Sequence, residues 1–230
     1  MSIALSFAQE NILNDNDWKF KLFVLFVLAF IVMLPGGEEA GIIQIEPFIY
    51  VLSFFSLLIS SGYCFKYMNN LINKPKGKLP EWENFLDLFW IGLKFFIGSI
   101  LVSIIMYVCT ILPIVIFPNV VSIIIFLFIW IFLSLLGPAL MMNFSEELAV
   151  KSMFEFKKIL SYARPAYYKA LAISGLITSG AFLISVILCF INVYLLILAV
   201  FINLYVVVLS MHLFVQAYHE IFAEPVDYGF

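Results

Sequence analysis

Asn69 to Lys94 reads NNLINKPKGKLPEWENFLDLFWIGLK, and the order of features in it sets the plan of the chain. Lys74, Lys76 and Lys78 stand between two long apolar runs. A helix start follows at Leu79-Pro80-Glu81-Trp82. The residues after it are amphipathic over 80–91, with Trp82, Phe85, Leu86, Phe89 and Leu93 on one face and Glu83 and Asp87 opposite. They pass without a break into the next apolar run, so this stretch reads as a basic loop, an interfacial helix and the entrance of a membrane span.

Composition points the same way. Of 230 residues 64% are hydrophobic and 12% charged, about half the charge of a soluble domain. The apolar runs are roughly 17–25 residues long, the length that crosses a ~30 Å hydrocarbon layer. The predicted fold class is therefore all-α: a polytopic membrane protein with six transmembrane helices in three repeated hairpins, each preceded by an amphipathic interfacial helix. The repeats cover residues 1–66, 67–143 and 144–217, with a tail over 218–230. Trp18 with Lys21, Trp90 with Lys94, and Tyr167-Tyr168-Lys169 mark the three entrances about 75 residues apart.

Outward from the opening stretch, residues 2–14 predict a short helix on the membrane surface with Leu5, Ala8 and Ile12 on one side. Asp15-Asn16-Asp17 offers caps for the first span. That span is short, with Lys19 and Lys21 expected to snorkel and Pro35-Gly36-Gly37 to end it. Met1 to Asp17 has neither a basic n-region nor an apolar h-region, so the first span is expected to be its own insertion signal. Glu38, Glu39 and Glu46 lie in the next loop, and the second span runs from about Pro47 to Tyr63. The third runs from Trp90 to Phe117. After a tight turn at Pro118-Asn119, the fourth runs to Met142. Residues 144–164 predict another amphipathic helix, with Ala149, Met153, Phe156 and Leu160 on one stripe, Glu147, Lys151, Glu155 and Lys158 on the other, and Pro165 closing it. The last two spans fill 169–217 and turn near Phe190–Asn192.

Every Lys and Arg falls on the N-terminal flank, around the loop and span entrance near Lys76, or in the loop after the fourth span. Six spans gather them on one side, which the positive-inside rule makes cytoplasmic together with both termini. A first run that stays interfacial would split them across the two faces. The expected location is the plasma membrane of a prokaryote.

The spans hold no Asp, Glu, Lys or Arg near a helix centre, which argues against a proton-coupled transporter or an intramembrane acid–base enzyme. No Walker-type loop, HExxH or GxSxG motif occurs. Cys64, Cys109 and Cys189 are dispersed and read as small apolar residues. No cofactor, metal or nucleic-acid partner is expected; the expected partners are the lipid bilayer and either a second copy or another membrane or cytoplasmic protein.

Tyr205, His212, Gln216 and His219 share one face of the last span near its lysine side. They read as interhelical hydrogen-bonding groups or as a substrate, ion or partner site, and the first reading is preferred. Ser53, Ser56, Ser60 and Cys64, then Gly92, Ser99, Ser103 and Thr110, then Ser174, Thr178, Ala181 and Ser185 form small-residue faces suited to close helix packing or to a hydroxyl-lined path. Pro113 and Gly137-Pro138 are candidate kinks. Trp82, Phe85, Phe89, Phe154 and Phe156 are candidate lipid-facing or partner-docking aromatics.

Gly62-Tyr63, Leu79-Pro80-Glu81-Trp82 and Gly92-Leu93-Lys94, with Ala149–Phe154 and Tyr168, are similar to a family of bacterial and archaeal multi-pass membrane proteins known only as a domain of unknown function. The resemblance implies the architecture and no activity, and this chain has a shorter first span and a more acidic first outer loop than that family suggests. The expected function is a structural or partner-binding membrane subunit without chemistry of its own. The alternatives are a transporter component for a neutral or amphipathic solute such as a lipid or peptide, and a lipid-modifying enzyme using His212 or His219.

Overall fold

The computed structural model describes residues 5–39, 47–74, 78–116, 120–192 and 195–222. The expected features at Glu46, Lys76, Pro118-Asn119 and most of the tail lie outside them, as do the side chains of Pro113, Thr110 and Cys189. Among the described residues the chain is helical without strands: α1 (Leu5–Leu13), α2 (Trp18–Glu39), α3 (Pro47–Asn73), α4 (Phe85–Ile116), α5 (Val120–Glu147), a 3₁₀ turn (Val150–Phe154), α6 (Phe156–Ser161), α7 (Pro165–Ile191) and α8 (Leu196–Phe222). Among the described residues four stretches are long and apolar enough to cross a bilayer: Pro47–Asn73, Phe85–Cys109, Pro165–Leu188 and Ile197–Phe222. Their outward faces carry large apolar side chains, including Leu176 at 76% exposure, Phe48 at 65% and Ile104 at 55%. Surfaces of that kind are stable against lipid and not against water.

α3 is the central helix and packs on α2, α4, α5 and α8, while α7 packs on α8. The α3–α4 contact is set by two glycines. A Cβ built on Gly62 would lie 1.8 Å from the Leu88 carbonyl oxygen, and one on Gly92 would lie 1.8 Å from that of Leu58. The two antiparallel helices therefore touch backbone to backbone at two reciprocal points, as small residues permit in apolar surroundings. Beyond them Phe65, Phe95 and Phe144 bring α3, α4 and α5 together, with centroids 4.0 to 5.3 Å apart. Ser53 donates to the Ile31 carbonyl at 2.8 Å and joins α3 to α2. Asn203 donates to Ser185 at 2.6 Å and joins α8 to α7.

Several local expectations are corrected. The interfacial helix over 80–91 is absent: 78–84 is non-helical and α4 begins at Phe85. The apolar face expected at its start is also rotated. Leu88 and Ile91 are buried, whereas Phe85 and Leu86 are 46% and 67% exposed. Gly92 must face α3, and that close contact, not the amphipathic pattern, fixes how the helix turns. The expected helix over 144–164 is broken in two. α5 continues to Glu147, Leu148 takes a left-handed φ of 51°, and the 3₁₀ turn and α6 follow, parted at Glu155. Pro165 opens α7 instead of closing the helix before it, as suits a residue with no N–H to lose in a first turn. α2 runs through Pro35-Gly36-Gly37 to Glu39, and α3 continues past Tyr63 to Asn73. Interfacial amphipathic helices thus do not precede all three expected hairpins.

The small-residue faces divide. Ser53, Ser56, Ser174 and Ala181 are buried as expected, while Ser103 and Thr178 are exposed. α5 passes through Pro138 without ending. The proline loosens the hydrogen-bond ladder of the preceding turn, and there the Tyr167 hydroxyl donates to the Leu135 carbonyl.

Gly62→Ala and Gly92→Ala each force α3 and α4 apart. Each is expected to lose at least ~1–3 kcal/mol, the usual cost of overpacking, measured by thermal unfolding in detergent. Gly175→Ala is the control, because nothing lies within 4 Å of the added methyl. It is expected to be neutral or to gain up to about 1 kcal/mol from the glycine's lost unfolded-state entropy.

Candidate functional site: a buried polar layer at the lysine-rich end

The polar side chains of the bundle gather at the end of α3 and α8 where the lysines lie. The densest part joins two pieces of chain about 60 residues apart. Asp15 ends the turn after α1, Lys21 lies in the first turns of α2, and Leu79-Pro80-Glu81-Trp82 crosses beside them. Asp15 and Lys21 are 2% and 1% exposed. The Lys21 ammonium donates to Asp15 Oδ2 at 3.0 Å, to the Leu79 carbonyl at 3.1 Å and to Glu81 Oε1 at 2.6 Å. A lysine ammonium carries three protons, so each has an acceptor. Asp15 also receives the backbone N–H of Leu79 at 3.1 Å and of Asp17 at 3.0 Å. At the expected cap, Asp15 closes a turn onto the Asp17 N–H one residue before α2, and the same carboxylate serves a tertiary contact.

Lys21 does not snorkel. Its stem and its charge are both covered, because two carboxylates and a carbonyl replace the water it has lost. Charges this deep persist only when paired and hydrogen-bonded.

Trp82 completes the joint. Its indole N–H donates to the Lys21 carbonyl at 3.2 Å, and its ring stacks on Tyr63 with centroids 4.1 Å apart and planes 9° from parallel. It is therefore half-buried and engaged within the fold. Phe85 lies next to it, 46% exposed. Phe89 stacks on Phe55 at 5.5 Å. Phe154 is half-buried against the core, and Phe156 is 51% exposed beside α4 and α5. The five aromatics do not share one set of neighbours.

The polar face of α8 also turns inward. His212, Gln216 and His219 are buried, and Tyr205 is half-buried beside the core. His212 meets Asn11 of α1 at 3.0 Å through Nε2 and Gln216 at 3.2 Å through Nδ1. A neutral imidazole has one N–H and one bare nitrogen, and the bare nitrogen accepts from the amide N–H that faces it. Phe7 packs edge-on against the ring at 5.6 Å. His219 donates from Nε2 to the Leu71 carbonyl at 3.0 Å and so satisfies an orphan acceptor in the last turn of α3. Helix α1 thus buries Ala8 and Ile12 in the protein, where a bilayer surface was expected.

Other helix ends are held in the same manner. Asn69 donates to the Ser145 and Glu146 carbonyls at 2.7 and 3.1 Å, at the C-terminus of α5. Arg164 donates to the Ile221 carbonyl at 3.2 Å, at the C-terminus of α8, where a cation also suits the helix dipole. Asn143 donates to the Ser152 carbonyl, and Lys158 pairs with Glu146 at 2.6 Å. Lys66 pairs with Asp87 across α3 and α4. Between α6 and α7, burial and the Glu146 carboxylate hold the Tyr162 hydroxyl above its ordinary pKa range, so it stays neutral. Among the described residues no three His, Cys, Asp or Glu side chains come together as a metal site.

Two of these roles had a visible signal. The turn at Asp15–Asp17 and the helix-bonding role of Asn203 follow from residue type and place. The destination of Lys21 had none, because two of its three acceptors, the Leu79 carbonyl and Glu81, lie about 60 positions further along the chain.

Fold and polar layer together define an all-helical protein with the apolar helices of a membrane protein, whose buried polar groups are used to hold its helices to one another. More particularly, the chain belongs to the family described as "Protein of unknown function (DUF4013)", whose model matches residues 47–193, from the start of α3 to the end of α7. No curated protein and no solved structure matches the chain.

Lys21→Met leaves Asp15 charged and buried without its counter-ion, and a loss of about 3–5 kcal/mol is expected. Glu81→Gln, at a carboxylate 59% exposed, is expected to cost under about 1 kcal/mol. Chemical unfolding of both variants in one detergent checks the order. In a double-mutant cycle, Asn11→Ala and His212→Ala are expected to couple by roughly 0.5–1.5 kcal/mol. Additivity within error would show that α1 is not held through that bond.

Proposed function

We propose that this chain is a non-enzymatic subunit of a membrane assembly: a six-span bundle that holds a second copy of itself or a protein partner. In this reading α2 and α5 cross the bilayer along with the four most apolar stretches. Both termini and the lysine-rich end then face the cytoplasm of a prokaryotic cell. Neither nucleic acid nor a cofactor has a part in it.

The observation that carries the reading is where the polar groups go. Asp15, Lys21, Asn69, His212 and His219 are each bonded to another part of the same chain. A catalyst or a polar permeation path needs such groups aimed at a vacant space where substrate can enter. Here they are spent on joints. What remains for partners is the wide apolar surface of α4 and α7 and the charged rim. The transporter reading keeps one favourable observation, the proline within α5.

Two measurements test the proposal. Light scattering and affinity co-purification from the native membrane are expected to show a self-association or a stoichiometric protein partner. A monomer that brings down nothing would overturn the subunit reading, and solute flux in liposomes above background would favour the transporter. For sidedness, Lys76→Cys in a chain whose three cysteines are replaced by Ala is expected to resist impermeant maleimide in intact cells and to react after lysis. Labelling from outside would overturn the orientation.

A further inference from the structure

The geometry points to a bound membrane phospholipid, one acyl chain lying between α4 and α5 and its phosphate against Lys157 of α6. Helix α6 runs along the flank of the bundle and roofs an apolar groove. Val102, Ile105, Met106 and Cys109 of α4 form one wall, Leu136 and Leu140 of α5 the other, and Phe156, Ile159 and Leu160 of α6 the cover. The groove holds about 240 Å³, below the ~300–1,000 Å³ of pockets that enclose a compact ligand. With no charged side chain in its lining, it suits a hydrocarbon chain and offers nothing to a polar solute.

The two sides of α6 give the ligand its second half. Phe156 belongs both to the groove and to an adjoining shallow pocket formed with Phe154, Glu155, Lys157, Lys158 and Ser161. Lys158 is already paired with Glu146. Lys157 is exposed and makes no ion pair among the described residues. An apolar slot thus opens at Phe156 beside a lysine pocket that also holds one carboxylate, Glu155. A glycerophospholipid matches this order of features: hydrocarbon first, then a singly charged phosphate within reach of lysine. Diacylglycerol would fill the slot and leave the lysine pocket without an anion.

The inference also gives a reason for the break at Glu155. One continuous helix would carry Phe156 and Leu160 away from the bundle, whereas the turn lays both over α4 and α5. Met153, just before the break, sits against Gly98 of α4 and fixes the level at which α6 crosses.

The proposal rests on the bilayer-spanning part of the proposed function and not on its partner-binding part. The test uses the full chain in phosphatidylcholine nanodiscs. A phosphatidylglycerol probe and a diacylglycerol probe, each with the same diazirine-bearing acyl chain, are photolysed and the labelled peptides sequenced. The phospholipid probe is expected to label 102–109 and 136–140 about five-fold more than the diacylglycerol probe, the preference that one lysine near a membrane surface gives. Lys157→Gln is expected to bring that ratio close to one. Leu136→Phe, which fills the slot, is expected to abolish labelling there for both probes while α7 is labelled as before. Even labelling of α4, α5 and α7 by either probe, or a ratio unchanged by Lys157→Gln, overturns the proposal. A chain that does not enter the nanodisc overturns the spanning reading, a separate failure seen before any light is applied.

Discussion

The bundle depends on one buried charge and the groups that neutralise it. Lys21 lies where water does not reach, and its ammonium is stable there because Asp15, Glu81 and the Leu79 carbonyl take its three protons. The reciprocal demand is equally strong, since Asp15 is 2% exposed and would be an unpaired buried anion without it. Removing either partner costs far more than the pair gains over an apolar substitute. Such a joint adds little net stability and much specificity: it admits one placement of the segment after α3 relative to the start of α2. Trp82 then closes over it, bonded to the Lys21 carbonyl and stacked on Tyr63.

The Gly62–Gly92 contact acts next to this joint and by different physics. Hydrocarbon side chains gain little by leaving lipid for the protein interior, so helix association inside a bilayer relies on close packing and hydrogen bonds. Two glycines let α3 and α4 meet at their backbones, and this contact decides which face of α4 turns inward. The joint fixes where α4 starts and the glycines fix its rotation. The ionic and steric constraints sit at opposite ends of the residues 79–92, which accounts for a motif-like stretch at that point of an otherwise generic apolar sequence.

The polar face of α8 is used in the same way, with His219 Nδ1 the ring atom left without a hydrogen bond among the described residues. His212 and His219 attract attention as chemistry-bearing residues, yet each reaches a neighbour the chain itself supplies. Burial without water makes an unbonded polar group expensive, so a bundle that orders α1 and α3 around those rings has a stability reason to contain them. On α6, Lys157 makes no ion pair among the described residues and adjoins the groove between α4 and α5.

Much of the architecture could be read in advance. Long apolar runs must be helices wherever water is excluded, because only a helix satisfies its own backbone within one segment. That constraint is local, so residue order determines it, including a helix from Pro47 and the end of another near Phe190. The inward face of α4 was not legible for the same reason. When lipid and protein interior are equally apolar, the pattern of hydrophobic residues carries no direction, and Leu86 and Leu88 look alike until Gly92 meets Leu58. The fate of Lys21 was hidden by distance, since a lysine at a helix entrance is free to reach water unless groups from elsewhere, here Glu81 and the Leu79 carbonyl, join Asp15 in closing over it. Residue order determined which segments are helical and apolar. Tertiary structure decided which contacts they make, because close backbone approach and charge neutralisation are properties of pairs of segments and belong to neither alone.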